Sequence, residues 1–588
     1  MSPSDIASKG QTGSTRSGRR ARNRAAQSGA LPLLGRKSVL LGMLTSGFVV
    51  ANAAQPSATA GTIKPIAATT TAFVSKWGPA MAFVRGDQVV SPNNDVVSAN
   101  VAHTSSAAFA NDAEKWTLSS TYARQEVLVN VLAAGVKGDG VTDDTAAINA
   151  VITANPGKVL LFPAGRIYQI SQAADSDAGG GITLNQPGTT LWLYGAKIRL
   201  KANAYPHYQM INVTAPDCRV LGGTLIGDAV AHSGTTGEWG YGISVGGGGH
   251  RFIAENVYAT LCWGDGFFIW ERPTDVCFSN CVGDDNRRQG CSIIDAIRPR
   301  VTGGAYINNG VTKYTGPGGG IDLEPDPGSA RDVIDAVITG VTLTGNHGPG
   351  FWSSSNGRTI TATITGCRAI GNGWTGFLVD GVNNLTTLNS CESNGNAWDG
   401  FSIGTNVGLP VGTKINGCVA QFNKGYGITD YGIGTQITGG SVENNGQTGL
   451  DLHGNGNIVL GTSAKGNCTA NMSNVQVDIY SPNAALNGVK SVAGGNTVKP
   501  NYGFAVRSTA TNARLIGCDA SGAFLAGSFI DQTVGASAVT LPVPGAVRAA
   551  AIASPTAPGA VYAQATEASM KAAVDAIRAA LRIHGITA

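Results

Sequence analysis

Charge is scarce in this sequence: only 13% of its 588 residues are Asp, Glu, Lys or Arg. The formal net charge of +4 is an end effect, because the first 37 residues hold eight Lys or Arg and one acid. The remainder carries 33 basic and 36 acidic residues, a net charge of −3, and gives no electrostatic support to nucleic-acid binding. No C-x-x-C pair occurs among the ten cysteines. Cys277 and Cys281 lack a second pair of ligands, so no metal site is expected. Past the first 53 residues no run is long and apolar enough to span a membrane. Glycine is plentiful, at 82 residues, but lacks the strict third-residue period of collagen.

What the sequence does have is a repeat. Gly242, Gly266, Gly290, Gly320, Gly350, Gly376, Gly400, Gly427 and Gly449 stand 22 to 30 residues apart. Each opens a short outside-inside alternation, such as Ile321-Asp322-Leu323 or Phe377-Leu378-Val379, which is a strand signal. Four residues before the glycine come Asn286, Asn346, Asn372, Asn396, Asn423 and Asn445. Nine before it come Cys281, Cys367, Cys391 and Cys418. Several columns in one register predict an all-β solenoid, a right-handed parallel β-helix over residues 127–530. Equivalent side chains of successive coils would stack about 4.8 Å apart. Asparagines can then bond to one another at a turn, and cysteines fill the interior as small apolar groups instead of forming disulfides.

The ends read differently. Arg16, Arg19, Arg20, Arg22, Arg24, Arg36 and Lys37 precede the mostly apolar stretch Ser38 to Val50 and the small-residue site Ala51-Asn52-Ala53. Residues 1–53 therefore read as a signal peptide, and the expected location is secreted, periplasmic or at the cell surface. The run from Gly35 to Leu40 resembles a twin-arginine signal with lysine in the second basic position. A linker follows over 54–71. Residues 72–121, with Trp77, Gly86-Asp87-Gln88-Val89 and Trp116, resemble the small β modules appended to chitinases and phage tail proteins, and suit a spacer or a sugar-binding unit equally. Residues 540–563 are rich in Ala and Pro, and Met570, Val574, Ile577 and Leu581 predict an amphipathic helix in the tail, 540–588. Such a helix would cap the solenoid or associate chains, so a monomer or a trimer is expected.

The main domain opens with Gly135, then Gly138-Asp139-Gly140, Thr142-Asp143-Asp144-Thr145 and Ile148, followed by Leu160, Phe162, Pro163, Gly165 and Tyr168. Thr142 or Asp143 is expected to cap a helix running to about Ala154. This signature resembles the opening of the pectate-lyase-like β-helix superfamily, in its rhamnogalacturonase and epimerase-like branch. The resemblance implies a protein that acts on polysaccharides. Asp139, Asp143 and Asp144 are read as cap and turn residues, not catalytic ones.

Candidate chemistry comes from aligning coils on the glycine. The residue two after it and the residue four after it face outward, which collects acids, arginines and tryptophans on one strip. Asp322 and Glu324 are two apart on a strand, about 6.5 to 7 Å between α-carbons, and are assigned as acid and base. Arg288 is grouped with them as catalytic. Arg287 is expected to meet an acidic sugar, with Trp270, Trp352, Trp374, Glu271 and Asp380 as further substrate contacts. His347 is read as a turn residue. The sets that mark polygalacturonases, pectate lyases and alginate epimerases within the superfamily are missing, so no named activity transfers. Two readings compete. One is an exported enzyme cleaving a polysaccharide, an acidic one, by hydrolysis or by β-elimination, with Ca2+ as cofactor only in the second case. The other is a tailspike-like or adhesin-like protein that binds glycan without cleaving it.

Overall fold

The computed structural model describes residues 128–533, apart from 176–180, 328–329, 405–407 and 471–474, together with parts of 79–118. The signal, the linker, the Ala/Pro-rich tail and the expected terminal helix lie outside the described residues. The short alternating runs close into three parallel sheets of 14, 16 and 15 strands. Each coil gives one strand to each sheet, as in Phe351–Ser354, Ile360–Thr365 and Arg368–Ile370. The result is the expected right-handed parallel β-helix of about 14 turns. No helix among the described residues is long and apolar enough to cross a membrane.

Period-two alternation decides what fills the centre. In the strand Ile321–Leu323 the two flanking residues are buried in the core, while Asp322 points to the outer face. Phe351, Phe377 and Phe401 continue that inner column, with ring centroids 6.1 and then 5.0 Å apart. A fully buried side chain of this size contributes about 1.5–3 kcal/mol. Between the second and third sheets, Cys281, Cys367, Cys391 and Cys418 form the expected interior column, and all ten cysteines are free thiols.

The asparagines stack in the turn between the third and first sheets. Asn346 Nδ2 donates to Asn372 Oδ1 at 2.9 Å, and Asn372 Nδ2 to Asn396 Oδ1 at 2.9 Å. The same oxygens accept the backbone N–H of the preceding asparagine, 3.1 and 2.9 Å away, so each rung ties off the turn above it. The ladder is longer than the sequence columns indicated: Asn309 joins Asn286 to Asn346, and Asn467 follows Asn445. Beside it, a Cβ on Gly400 would lie 2.5 Å from the Gly427 carbonyl oxygen and 2.9 Å from Asn423 Nδ2, so only glycine fits.

The helix α1, Thr145–Ala154, guards the free edge of the 14-stranded sheet. Its Asn149 accepts the Thr183 N–H at 2.9 Å and donates to the Gly181 carbonyl at 2.8 Å, where a preceding strand would otherwise pair. The cap falls one residue later than the sequence suggests. Asp144 takes that position, and its carboxylate turns back to the N–H groups of Lys137 and Gly138 at 2.8 and 2.9 Å. Asp139 and Asp143 bind nearby turn groups, as expected of structural residues. In the N-terminal module, Gln88–Val90, Val96–Ala99 and Trp116–Leu118 form a small antiparallel sheet, and Trp116 meets His103 edge to face at 4.9 Å.

Candidate functional site

The outer face of the 14-stranded sheet gathers the candidate residues because its middle strand positions are stacked in register. Ser244, Phe268, Ser292, Asp322 and Trp352 occupy successive rungs. Facing outward does not leave them exposed. Asp322 is 2% exposed, and its Oδ2 accepts Gln289 Nε2 at 2.9 Å. Its Oδ1 is buried with no hydrogen-bond partner among the described residues. Burial, and then the charge of Glu324 beside it, push the Asp322 carboxyl well above the usual carboxylate range, against the pull of Arg288.

Arg288 stands where the acids converge. Its Nη1 lies 3.2 Å from Asp265 Oδ2, its Nε 3.3 Å from Glu238 Oε2, and its Nη2 3.7 Å from Glu324 Oε2. Burial opposes its charge, but Asp265, Glu238 and Asp322 outweigh that and hold it protonated. Asp265 is fully buried and raised by burial, and it also accepts the Gln289 N–H at 2.9 Å. Neither Asp265 nor Glu238 was expected. Asp265 sits in a turn directly before a ladder glycine, and Glu238 on the connection into Trp239–Val245, so neither shows strand alternation.

Arg287 departs from its expected role. Its guanidinium lies 3.6 Å over the Trp263 ring, and it donates to the carbonyls of Trp263, at 2.6 Å, and of Gly237. It is buried, and burial lowers its pKa. What it does is fasten the segment that presents Glu238. Trp263 helps: its Nε1 donates to the Thr236 carbonyl at 3.3 Å, and its ring stacks on His232 at 3.9 Å. Behind them Tyr208 accepts the Trp263 N–H and donates to Asp228, which also bonds His232.

The aromatic residues divide. Trp270 and Trp352 flank the acidic pair, and the N–H of each indole is buried with no acceptor among the described residues. The Ser244 hydroxyl is likewise buried without a partner. Tyr241 stacks on Phe268 at 4.0 Å. Trp374 stands further along and stacks on Trp398 at 5.7 Å. Asp380 is buried and accepts the Gly381 N–H at 2.9 Å, whereas Glu271 accepts the Gly247 N–H of the preceding coil at 3.3 Å. His347 packs against Tyr314 at 3.9 Å, as a turn residue would. The strip thus brings Asp322, Glu324, Arg288, Trp270 and Trp352 together, and leaves Arg287, Glu271, Asp380 and Trp374 in other surroundings.

The carboxylates do not make a cage for a divalent cation. They point at one guanidinium, which supplies the positive charge a metal would bring, and among the described residues no group of three His, Cys, Asp or Glu is arranged to hold an ion. A cavity of about 690 Å3 lies elsewhere, on the second sheet between Leu128, Trp192 and Arg219, and its lining holds a single carboxyl group, that of Asp217.

Residues 128–179 match a family described as rhamnogalacturonase A/epimerase, pectate lyase-like. The opening signature lies inside that match. Among solved structures, the A-module of the mannuronan C-5 epimerase AlgE4 of Azotobacter vinelandii is 17% identical, with a TM-score of 0.40, covering 72% of this chain and 100% of that one. A point mutant of the tailspike protein of E. coli bacteriophage HK620, solved in complex with a pentasaccharide, is 10% identical with a TM-score of 0.46, covering 68% and 78%. Tailspike protein 3 of bacteriophage CBA120 is 10% identical with a TM-score of 0.42, covering 79% and 77%. No curated protein matches the chain. None of these structures is similar enough to lend a residue role.

Proposed function

We propose that this protein is an exported carbohydrate-active enzyme that cleaves a polysaccharide on the outer face of the 14-stranded sheet. Cleavage proceeds by hydrolysis or by β-elimination, with Asp322 as acid and Glu324 as base. The observation that carries this reading is a buried carboxyl, Asp322, held above its usual range beside a partly exposed one, Glu324, while two indole N–H groups on the same face have no acceptor among the described residues. A carboxyl group kept protonated can hand its proton to a leaving glycosidic oxygen, and a partly exposed neighbour can take one from the attacking group. Glu324 is 27% exposed at its side chain, so solvent and substrate reach it. The family match over residues 128–179 supports a polysaccharide as the class of substrate.

The test is incubation of the purified protein with a panel of polysaccharides, with and without chelator, followed by chain-length analysis. Shortened chains are expected with wild type and not with Asp322→Asn. Binding without shortening would favour the adhesin-like reading instead. Export rests on the basic, then apolar, start of the chain; sequencing the secreted form should find a first residue near Ala54.

A further inference from the structure

Gln289 is fully buried between Asp265 and Asp322, and each of its polar atoms has a partner. It directly precedes the ladder glycine Gly290. Its backbone N–H donates to Asp265 Oδ1 at 2.9 Å, and its carbonyl accepts the Gly266 N–H at 3.0 Å. Those two bonds fix the main chain, and the side chain then crosses to the next coil. There Oε1 accepts the Gly319 N–H at 3.0 Å, and Nε2 donates to Asp322 Oδ2 at 2.9 Å. The amide has one orientation. Turned over, it would set an N–H against the Gly319 N–H, two buried donors with no acceptor between them.

That orientation bears on Asp322. In a protonated carboxyl group one oxygen carries the hydrogen and the other is a carbonyl acceptor. Oδ2 faces an N–H, so it takes the acceptor role and the hydrogen falls to Oδ1. Oδ1 is buried with no hydrogen-bond partner among the described residues, so no protein group draws that hydrogen away. Burial first, then the charge of Glu324, with Asp265 adding to it, holds the carboxyl above its usual range against the pull of Arg288.

We infer, on the reading of this face as a glycan-cleaving site, that Gln289 is a positioning residue: it places the acid's proton on Oδ1 of Asp322 and steadies the carboxylate left when that proton goes. The glycosidic C–O bond breaks with its electron pair on the leaving oxygen, and that oxygen takes the Oδ1 proton. Glu324 takes the other proton, from water in hydrolysis or from a sugar carbon in β-elimination. In hydrolysis the oxygen of that water bonds to the anomeric carbon. Solvent then returns a proton to Asp322 and removes one from Glu324. An N–H donated to an anion is stronger than one donated to a neutral carbonyl, so the Gln289 bond tightens as the charge appears.

Infrared difference spectra test the placement without any glycan. The carbonyl band of protonated Asp322 is the one present in wild type and missing from Asp322→Asn. A carbonyl that accepts an N–H absorbs at lower frequency than a free one. Wild type should show the lowered band, and Gln289→Met, which keeps side-chain length and removes the donor, should move it up. On whichever glycan wild type cleaves, Gln289→Met should lose roughly 10–100-fold in turnover. The alkaline limb of its pH–rate profile should move to higher pH, because a donor that favours the carboxylate is gone. A residue that only packs would move neither band nor limb. Should Gln289→Met fail to fold, the wild-type band alone decides. A band at the free-carbonyl frequency, an unmoved band in Gln289→Met, or no protonated band at all overturns the inference, and chain shortening by wild type still upholds the glycan-cleaving reading. Failure of wild type to shorten any chain removes that reading, and with it the role in cleavage inferred for Gln289.

Discussion

Two stretches of the same sheet face carry acids, and they hold them differently. In the downstream stretch Asp399, Asp451 and Asp478 are each matched by a neighbour on the same or an adjacent rung. Asp399 accepts the Tyr426 N–H at 2.9 Å, the Ser402 hydroxyl at 2.8 Å and the Thr429 hydroxyl at 3.1 Å. Asp451 bonds His453 at 3.0 Å, and His453 is sandwiched between Tyr431 and Tyr480 at 4.3 and 4.4 Å. Asp478 takes Arg507 with both oxygens. In the upstream stretch burial and the charge of Glu324 hold the Asp322 carboxyl above its usual range, its Oδ1 has no partner, and Trp270, Trp352 and Ser244 leave donors unused among the described residues. Buried polar groups without partners are costly, so a fold retains them where something other than stability is served. The downstream acids cross-link coils, whereas the upstream acids are set up for chemistry.

The largest effect that would break this comparison is at Glu324. Glu324→Gln should lower turnover by ~10²–10⁴-fold, measured on whichever glycan wild type cleaves. It should also move the alkaline limb of the pH–rate profile to lower pH, because the neighbouring charge that helps raise Asp322 is gone. An unmoved limb would mean that the two carboxyls are not paired in the working enzyme.

Stability is touched next. Asn396→Ala removes a middle rung: Asn396 accepts from Asn372 and donates to Asn423 and to the Ala369 carbonyl. The orphaned partners should cost ~1–3 kcal/mol in denaturant unfolding, with activity per folded molecule kept. An unchanged midpoint would show that the ladder is ornamental.

The smallest effect concerns Asp430, which points into the core beside the downstream cluster. Its Oδ1 accepts the Gly432 N–H and the Thr435 hydroxyl, both at 2.9 Å, while Oδ2 has no partner. Burial raises its pKa from 3.8 to about 7, against the pull of those two bonds. A folded pKa above the unfolded one contributes stability that is whole below about pH 4 and is lost as pH rises toward about 7. Asp430→Asn removes that slope, so the variant should gain on wild type as pH rises through this window. Parallel pH–stability curves would contradict the assignment.

The β-helix was legible because its signals are periodic. Glycine, asparagine and cysteine columns survive any modest change in loop length as long as the turn itself keeps its count. Asn309 escaped because the insertion Gly310–Gly318 moves the glycine 11 residues downstream in place of four. Asn467 escaped because its partner is the Gln476 side chain, which accepts its Nδ2 at 2.7 Å, and no ladder glycine follows. The acidic pair was legible because two residues two apart, one on a strand and one just past its end, need no knowledge of space. The surroundings of the arginines were not, since their partners are backbone carbonyls and acids one or two rungs away. Arg287 and Arg288 are adjacent in the chain, yet one reaches Gly237 behind the turn while the other reaches Glu238 and Glu324 at its front.

One paired assay tests the account most directly: the turnover of Asp322→Asn beside that of Asp451→Asn, each first shown to unfold cooperatively. Both changes keep shape and remove one outward carboxyl from the same column of the same sheet. Asp322→Asn should lose ~10²–10⁴-fold in turnover, while Asp451→Asn stays close to wild type. Near-wild-type turnover by Asp322→Asn, or an equal loss in both, would contradict the claim that the upstream acids alone carry the chemistry.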